Sequence, residues 1–264
     1  MGFFALIFLM VVCQGAEAVA LRNEPLEVGP FPMLPEFHAE VEFGWSNFEA
    51  ARARASYQVK GTMGKLLLEG GTVGAARALW SLNATHRAEF FLEGLRSREF
   101  QQEEKYLHHV IKTRAIFDSG GCSRLRAREP RRGESRWKRF ALEGIRDLVA
   151  AMFFIRSQRL EVGDRVKVLV FPGDSPFLAE VKVVRREGLY WRGMSRAALR
   201  MEFEISRIRT ERGVAVSVER YRKFRKGSIW LSDDGMRFPL RAEVEIFVGF
   251  VYAELVSLEF GGRL

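Results

Sequence analysis

Through most of the chain apolar and polar residues alternate one for one, the period of a strand with one buried face. Phe37, Ala39, Val41, Phe43 and Trp45 alternate with His38, Glu40, Glu42 and Gly44, while Ala53, Ala55, Tyr57 and Val59 alternate with Arg52, Arg54, Ser56 and Gln58. Gly44 to Glu49 is then the link of a first hairpin, and His38 falls on its polar face. Thr85 to Leu92, Ser97 to Leu107 and Val110 to Phe117 have the length and the β-branched or aromatic content of further antiparallel strands. Arg165 to Phe171, Phe177 to Arg186, Leu199 to Arg207 and Val214 to Arg222 read the same way, separated by Pro172 to Pro176, Glu187-Gly188 and Glu211-Arg212-Gly213. A meander closes the chain. Ile229 to Leu231 and Phe238 to Glu245 flank Ser232-Asp233-Asp234-Gly235, a strong short hairpin signal, and Tyr252 to Glu259 follows a turn at Phe247 to Phe250.

Two stretches break this period. Gly70, Gly71 and Gly74 lead into Ala75 to Trp80, good helix formers for one or two turns. Ile145 to Ser157 places Ile145, Leu148, Val149, Met152, Phe153 and Arg156 at three- and four-residue spacing, with Ala150, Ala151 and Phe154 widening the apolar face. A helix with so wide a face, alone among strands, must cover or plug the concave side of a sheet. The expectation is a mainly β fold, with residues 36–264 forming one domain. It is a single large, strongly curved antiparallel sheet or open barrel of about ten to twelve strands wrapped around one principal helix.

Ahead of this pattern the composition changes. Residues 21–35 hold Pro25, Pro30, Pro32 and Pro35, an extended lead-in. Residues 1–20 read as a signal peptide: Phe3 to Val12 is an apolar run too short to span a bilayer, and Ala16-x-Ala18 or Ala18-x-Ala20 offers a cleavage site. Val12 argues against lipid attachment at Cys13, because that signal needs a small residue there. Once the leader is removed, Cys122 is the one cysteine left, which excludes an internal disulfide and points to a structural thiol in the Gly120 to Ser123 turn.

The net charge of +9 favours anionic partners such as lipid headgroups or acidic glycans, and an exported address argues against nucleic acid. The basic clusters are Arg124 to Arg139 and Arg220 to Lys226. They read either as charged edges that prevent sheet-to-sheet aggregation or as an anion-docking surface. No serine elbow, Walker loop, dinucleotide fingerprint or His-x-x-x-His spacing is present, so no cofactor and no metal is expected.

The order of these signals resembles domain-of-unknown-function family 3108, a family of exported bacterial proteins. The resemblance rests on Phe43-Gly44-Trp45, the helix Asp147 to Arg156, Val162 to Val166, Ile229 to Asp234, Phe238 to Arg241, Gly249 and Ala253-Glu254-Leu255. It departs where Leu148 follows Asp147 in place of the usual proline, and in the weight of arginine over 123–139. It implies a curved antiparallel sheet around a helix, similar to the periplasmic lipoprotein-carrier fold, and an address in the bacterial periplasm or envelope. It implies no activity.

The leading expectation is therefore a non-enzymatic envelope protein that binds an apolar or amphipathic ligand, or an envelope partner: a lipid, an anionic glycan or a protein. Met152, Phe153 and Phe154 either line its pocket or fill the core. Arg131, Arg132, Arg222 and Arg225 are the candidate anion contacts. The alternatives are an envelope hydrolase or glycan-modifying enzyme using acids such as Asp233 and Glu180, and a scaffold without ligand.

Overall fold

Among the described residues alternation carries through into sixteen strands of a single sheet. The first half is β1 (Phe37–Trp45), β2 (Phe48–Lys60), β3 (Met63–Thr72), β4 (Leu82–Phe91), β5 (Arg96–Tyr106), β6 (Val110–Asp118), β7 (Gly121–Glu129) and β8 (Lys138–Phe140). The second is β9 (Arg146–Asp147), β10 (Arg165–Phe171), β11 (Phe177–Trp191), β12 (Met194–Glu211), β13 (Val214–Arg220), β14 (Lys226–Ser232), β15 (Pro239–Glu245) and β16 (Phe250–Phe260). The computed structural model describes residues 27–31, 33–130, 135–221, 226–246 and 249–261. The expected signal peptide, and residues 21–26 and 32 of the expected lead-in, lie outside them.

Strands β1 to β8 form one meander, and β16 back to β10 form another, with β13 branching from β12. The two meanders meet where the first strand pairs with the last: Phe37 lies opposite Phe260 and Trp45 opposite Val251. All ladders are antiparallel except the short β9–β10 pair. The sheet curls without closing. Its far margins approach at Ala141, whose N–H donates to the Gly213 carbonyl at 2.6 Å. Gly213 has φ +87, and a Cβ there would meet the Arg139 carbonyl at 2.7 Å, so the approach requires glycine. Side chains bridge the remaining gap: Arg124 and Arg126 each donate to Asp174 Oδ1 at 2.8 Å.

Sixteen strands replace the about ten to twelve expected. Beyond the twelve strands read from the sequence come glycine-rich β3, then β7 and three-residue β8 in the arginine-rich stretch, and β9, whose two residues are too few to carry a period. Two boundaries also move. The β11–β12 hairpin runs past Glu187-Gly188 and turns at Arg192-Gly193, where both residues have positive φ (49° and 81°), as a type I′ turn needs. The long helix spans Leu148–Ser157 and starts three residues later than its pattern. Asp147 stops it there as N-cap, accepting from the Val149 and Ala150 N–H groups at 2.8 and 3.1 Å. A second, short helix covers Gly74–Leu79.

The long helix occupies the concavity. Ala150, Ala151, Phe153, Phe154 and Ile155 are buried in a core that draws on both meanders, including Phe37, Tyr57, Phe90, Val168, Met201 and Leu240. A second cluster around Phe100, Phe117, Phe140 and Phe171 fills the other side. Among the described residues no helix is long and apolar enough to cross a membrane.

Candidate functional site

The N-terminal half of the long helix does not fill the space beneath it. Leu148, Val149 and Met152 are only half buried, and they face a cavity of about 280 Å³ whose other walls are the inner faces of β1, β2, β3, β14, β15 and β16. Its walls include Phe37, Ala39, Val41 and Phe43 from β1, Leu66 and Leu68 from β3, and Ala253 and Leu255 from β16. These are the alternate, inward residues of each strand, so the pattern that makes the sheet also makes the lining apolar. Room arises because alanine holds several inward positions, Ala39, Ala55, Ala242 and Ala253.

Of the three helix residues expected at a pocket, Met152 and Phe153 line this cavity. The Phe153 ring also stands 4.9 Å from those of Tyr57 and Phe90, which fixes that wall. Phe154 is not part of the lining. It projects from a different side of the helix, is fully buried, and carries the Arg146 guanidinium 4.1 Å above its ring. A helix advances about 100° per residue, so Phe154 stands about 200° round from Met152 and turns away from the wall that Met152 and Phe153 share.

Arg156 and Arg241 also border the cavity. The Arg156 Nε and Nη2 donate to the Met236 carbonyl at 3.1 and 2.7 Å. Burial lowers its pKa to about 10, so it keeps its charge at neutral pH. Arg241 is held by Glu243 at 2.7 Å and Glu254 at 2.6 Å.

The four expected anion contacts, Arg131, Arg132, Arg222 and Arg225, lie outside the described residues. Several neighbours in those basic stretches are engaged internally. Arg124 and Arg126 hold Asp174, Arg139 holds Asp118 at 2.6 Å, and Arg220 reaches Glu204 at 3.2 Å. The two acids considered for hydrolysis each keep their own cations: Glu180 is bound by Arg165 and Lys167, and Asp233 by Arg186. Burial pushes the Cys122 thiol up to about 12, leaving it an inert core side chain. Among the described residues no group of three His, Cys, Asp or Glu side chains is placed to hold a metal.

Residues 39–256 match the family described as Protein of unknown function (DUF3108). The chain belongs to this family. None of the curated proteins compared matches this DUF3108 chain. Among solved structures it is similar to a β-barrel-like protein of domain-of-unknown-function family DUF1849 from Brucella abortus. The two are 9% identical over 87% of this chain and 99% of that one, with a TM-score of 0.50. At this identity the likeness shows the fold alone. A candidate lipoprotein from Parabacteroides distasonis (8% identity, 88% and 99% covered, TM-score 0.35) and a candidate exported protein with a YmcC-like fold from Bacteroides fragilis (6%, 88% and 99%, 0.36) also match the DUF3108 chain.

Proposed function

We propose that this DUF3108 protein is an exported, non-enzymatic envelope protein that holds the apolar part of an amphipathic molecule between its long helix and the sheet. The observation that carries the reading is the cavity of about 280 Å³, close to the roughly 300 Å³ at which small-molecule sites begin and walled by apolar side chains. Protein cores are normally filled to crystal-like density, so a gap of this size beside half-buried Met152, Leu148 and Val149 calls for an occupant. The apolar run Phe3 to Val12 and the small residues after it support an exported address.

The test is native mass spectrometry of the protein purified from its own envelope, followed by lipid extraction. A stoichiometric lipid adduct is expected. It should be lost in Met152→Glu, which places a charge on the cavity wall, while the thermal midpoint stays within a few degrees of wild type. An apo mass in the wild type would remove the reading and direct attention to protein or glycan partners.

A further inference from the structure

Shape and polarity narrow the occupant. Phe37 to Phe43 runs about 20 Å at the rise of a strand, and Leu148 to Arg156 about 12 Å at the rise of a helix. A volume of about 280 Å³ drawn out along these walls is long and thin. A cavity of about 150 Å³ takes one benzene ring, so this one has room for roughly ten to twelve carbon atoms.

Its two charged neighbours do not offer a headgroup site. Arg241 points to the convex face, bound to Glu243 and Glu254 and lying 5.4 Å over the Tyr252 ring, and Tyr252 itself donates to Glu42. The Arg156 guanidinium is turned to the Met236 carbonyl, leaving its methylene stem toward the cavity. A carboxylate or phosphate drawn inside would lose its water and gain no donor in return. The two ends of the cavity also differ. Leu34, Phe37 and Phe238 are buried at one, whereas Val41, Ala253 and Leu148 keep partial exposure at the other, with Phe43 buried beside them. Beyond that open end the same face of β1 continues to Trp45, which is 50% exposed.

We infer that the cavity takes a single aliphatic chain of about ten to twelve carbons, tail toward Phe37 and Phe238, and leaves the polar end of its guest in water beside Val41 and Ala253. This rests on the reading of the cavity as a ligand site and specifies what that site accepts.

The experiment is a titration of the full-length, delipidated protein with straight-chain fatty acids and the matching alcohols from eight to sixteen carbons, and with a diacyl phosphatidylglycerol, read by native mass spectrometry. Affinity is expected to rise about fourfold per methylene and to level off near twelve carbons, with acid and alcohol of equal length within about threefold of each other. Ala253→Phe should weaken dodecanol at least about tenfold by blocking the open end. Met152→Ala should move the levelling point to longer chains by opening the wall. A tenfold preference for acid over alcohol, a diacyl lipid binding as tightly as a single chain, or a levelling point unmoved by Met152→Ala would overturn the inference while leaving the cavity a ligand site. Failure of every alkyl compound to bind would overturn that reading as well.

Discussion

His86 lies on the inner face of β4, 8% exposed, and burial lowers its pKa from 6.5 to about 4. The sign of the effect follows from which state takes the proton. Below pH 6.5 the unfolded chain protonates this imidazole while the folded chain refuses it until about pH 4. Stability is therefore lost as pH falls through that window, by up to about 3 kcal/mol. Urea unfolding near pH 7 and near pH 4.5 measures the loss, and His86→Gln should remove most of it; an unchanged pH slope in the variant would assign the acid sensitivity to other groups. Ser97 and Asp147 make the other notable buried polar pair. The Asp147 carboxylate accepts from the Ser97 hydroxyl, and Ser97 Oγ in turn accepts from the Asp147 N–H at 2.7 Å, so a helix cap is fixed to the far meander. No local pattern marks Ser97 for this task, because its partner is fifty residues away.

The β11–β12 hairpin extends past Ser232, the last residue of β14, and its tip is fastened by long-range bonds. Trp191 Nε1 donates to the Leu255 carbonyl at 2.6 Å, Trp230 Nε1 donates to Glu187 at 2.7 Å, and the Asp233 N–H donates to the Ala197 carbonyl at 2.9 Å. Trp191→Phe keeps most of the ring and removes one bond worth about 1 kcal/mol. Amide exchange over residues 187–197 should then accelerate about fivefold, with the rest of the sheet unaffected; equal exchange rates in the two proteins would show that the bond does not hold the tip. At this scale much was legible in the sequence. The terminal meander, the first hairpin and the long helix follow their periods to within a few residues, because one face of each carries the apolar residues that turn into the concavity. The hairpin tip was misplaced because Glu187-Gly188 has turn chemistry but is carried inside a ladder opposite Ala198 and Ala197. Half of the site was legible too. Helical spacing pointed to Met152 and Phe153 but could not separate them from Phe154, and the alanines that make room are ordinary strand residues until the strands are curled together.

Across the molecule, two meanders depend on one central seam. The β1–β16 ladder runs from Phe37 opposite Phe260 to Trp45 opposite Val251, and beyond it the Gly261 N–H donates to the Glu36 carbonyl at 2.8 Å. Deleting Phe250 to Phe260 would leave β1 and β15 with open edges at the middle of the sheet and expose Leu255 positions in the cavity wall. The truncated protein is expected to lose cooperative thermal unfolding and to elute as aggregate on gel filtration; a monomer with a sharp transition would show that each meander folds by itself. The seam also sets an order in time. Ribosomes release a chain from its N-terminal end, so β1 emerges long before the strand it must pair with, and the contact joining them is among the most distant in sequence that the fold contains. Until β16 arrives β1 keeps one edge open, so the seam is the last ladder of the sheet to close.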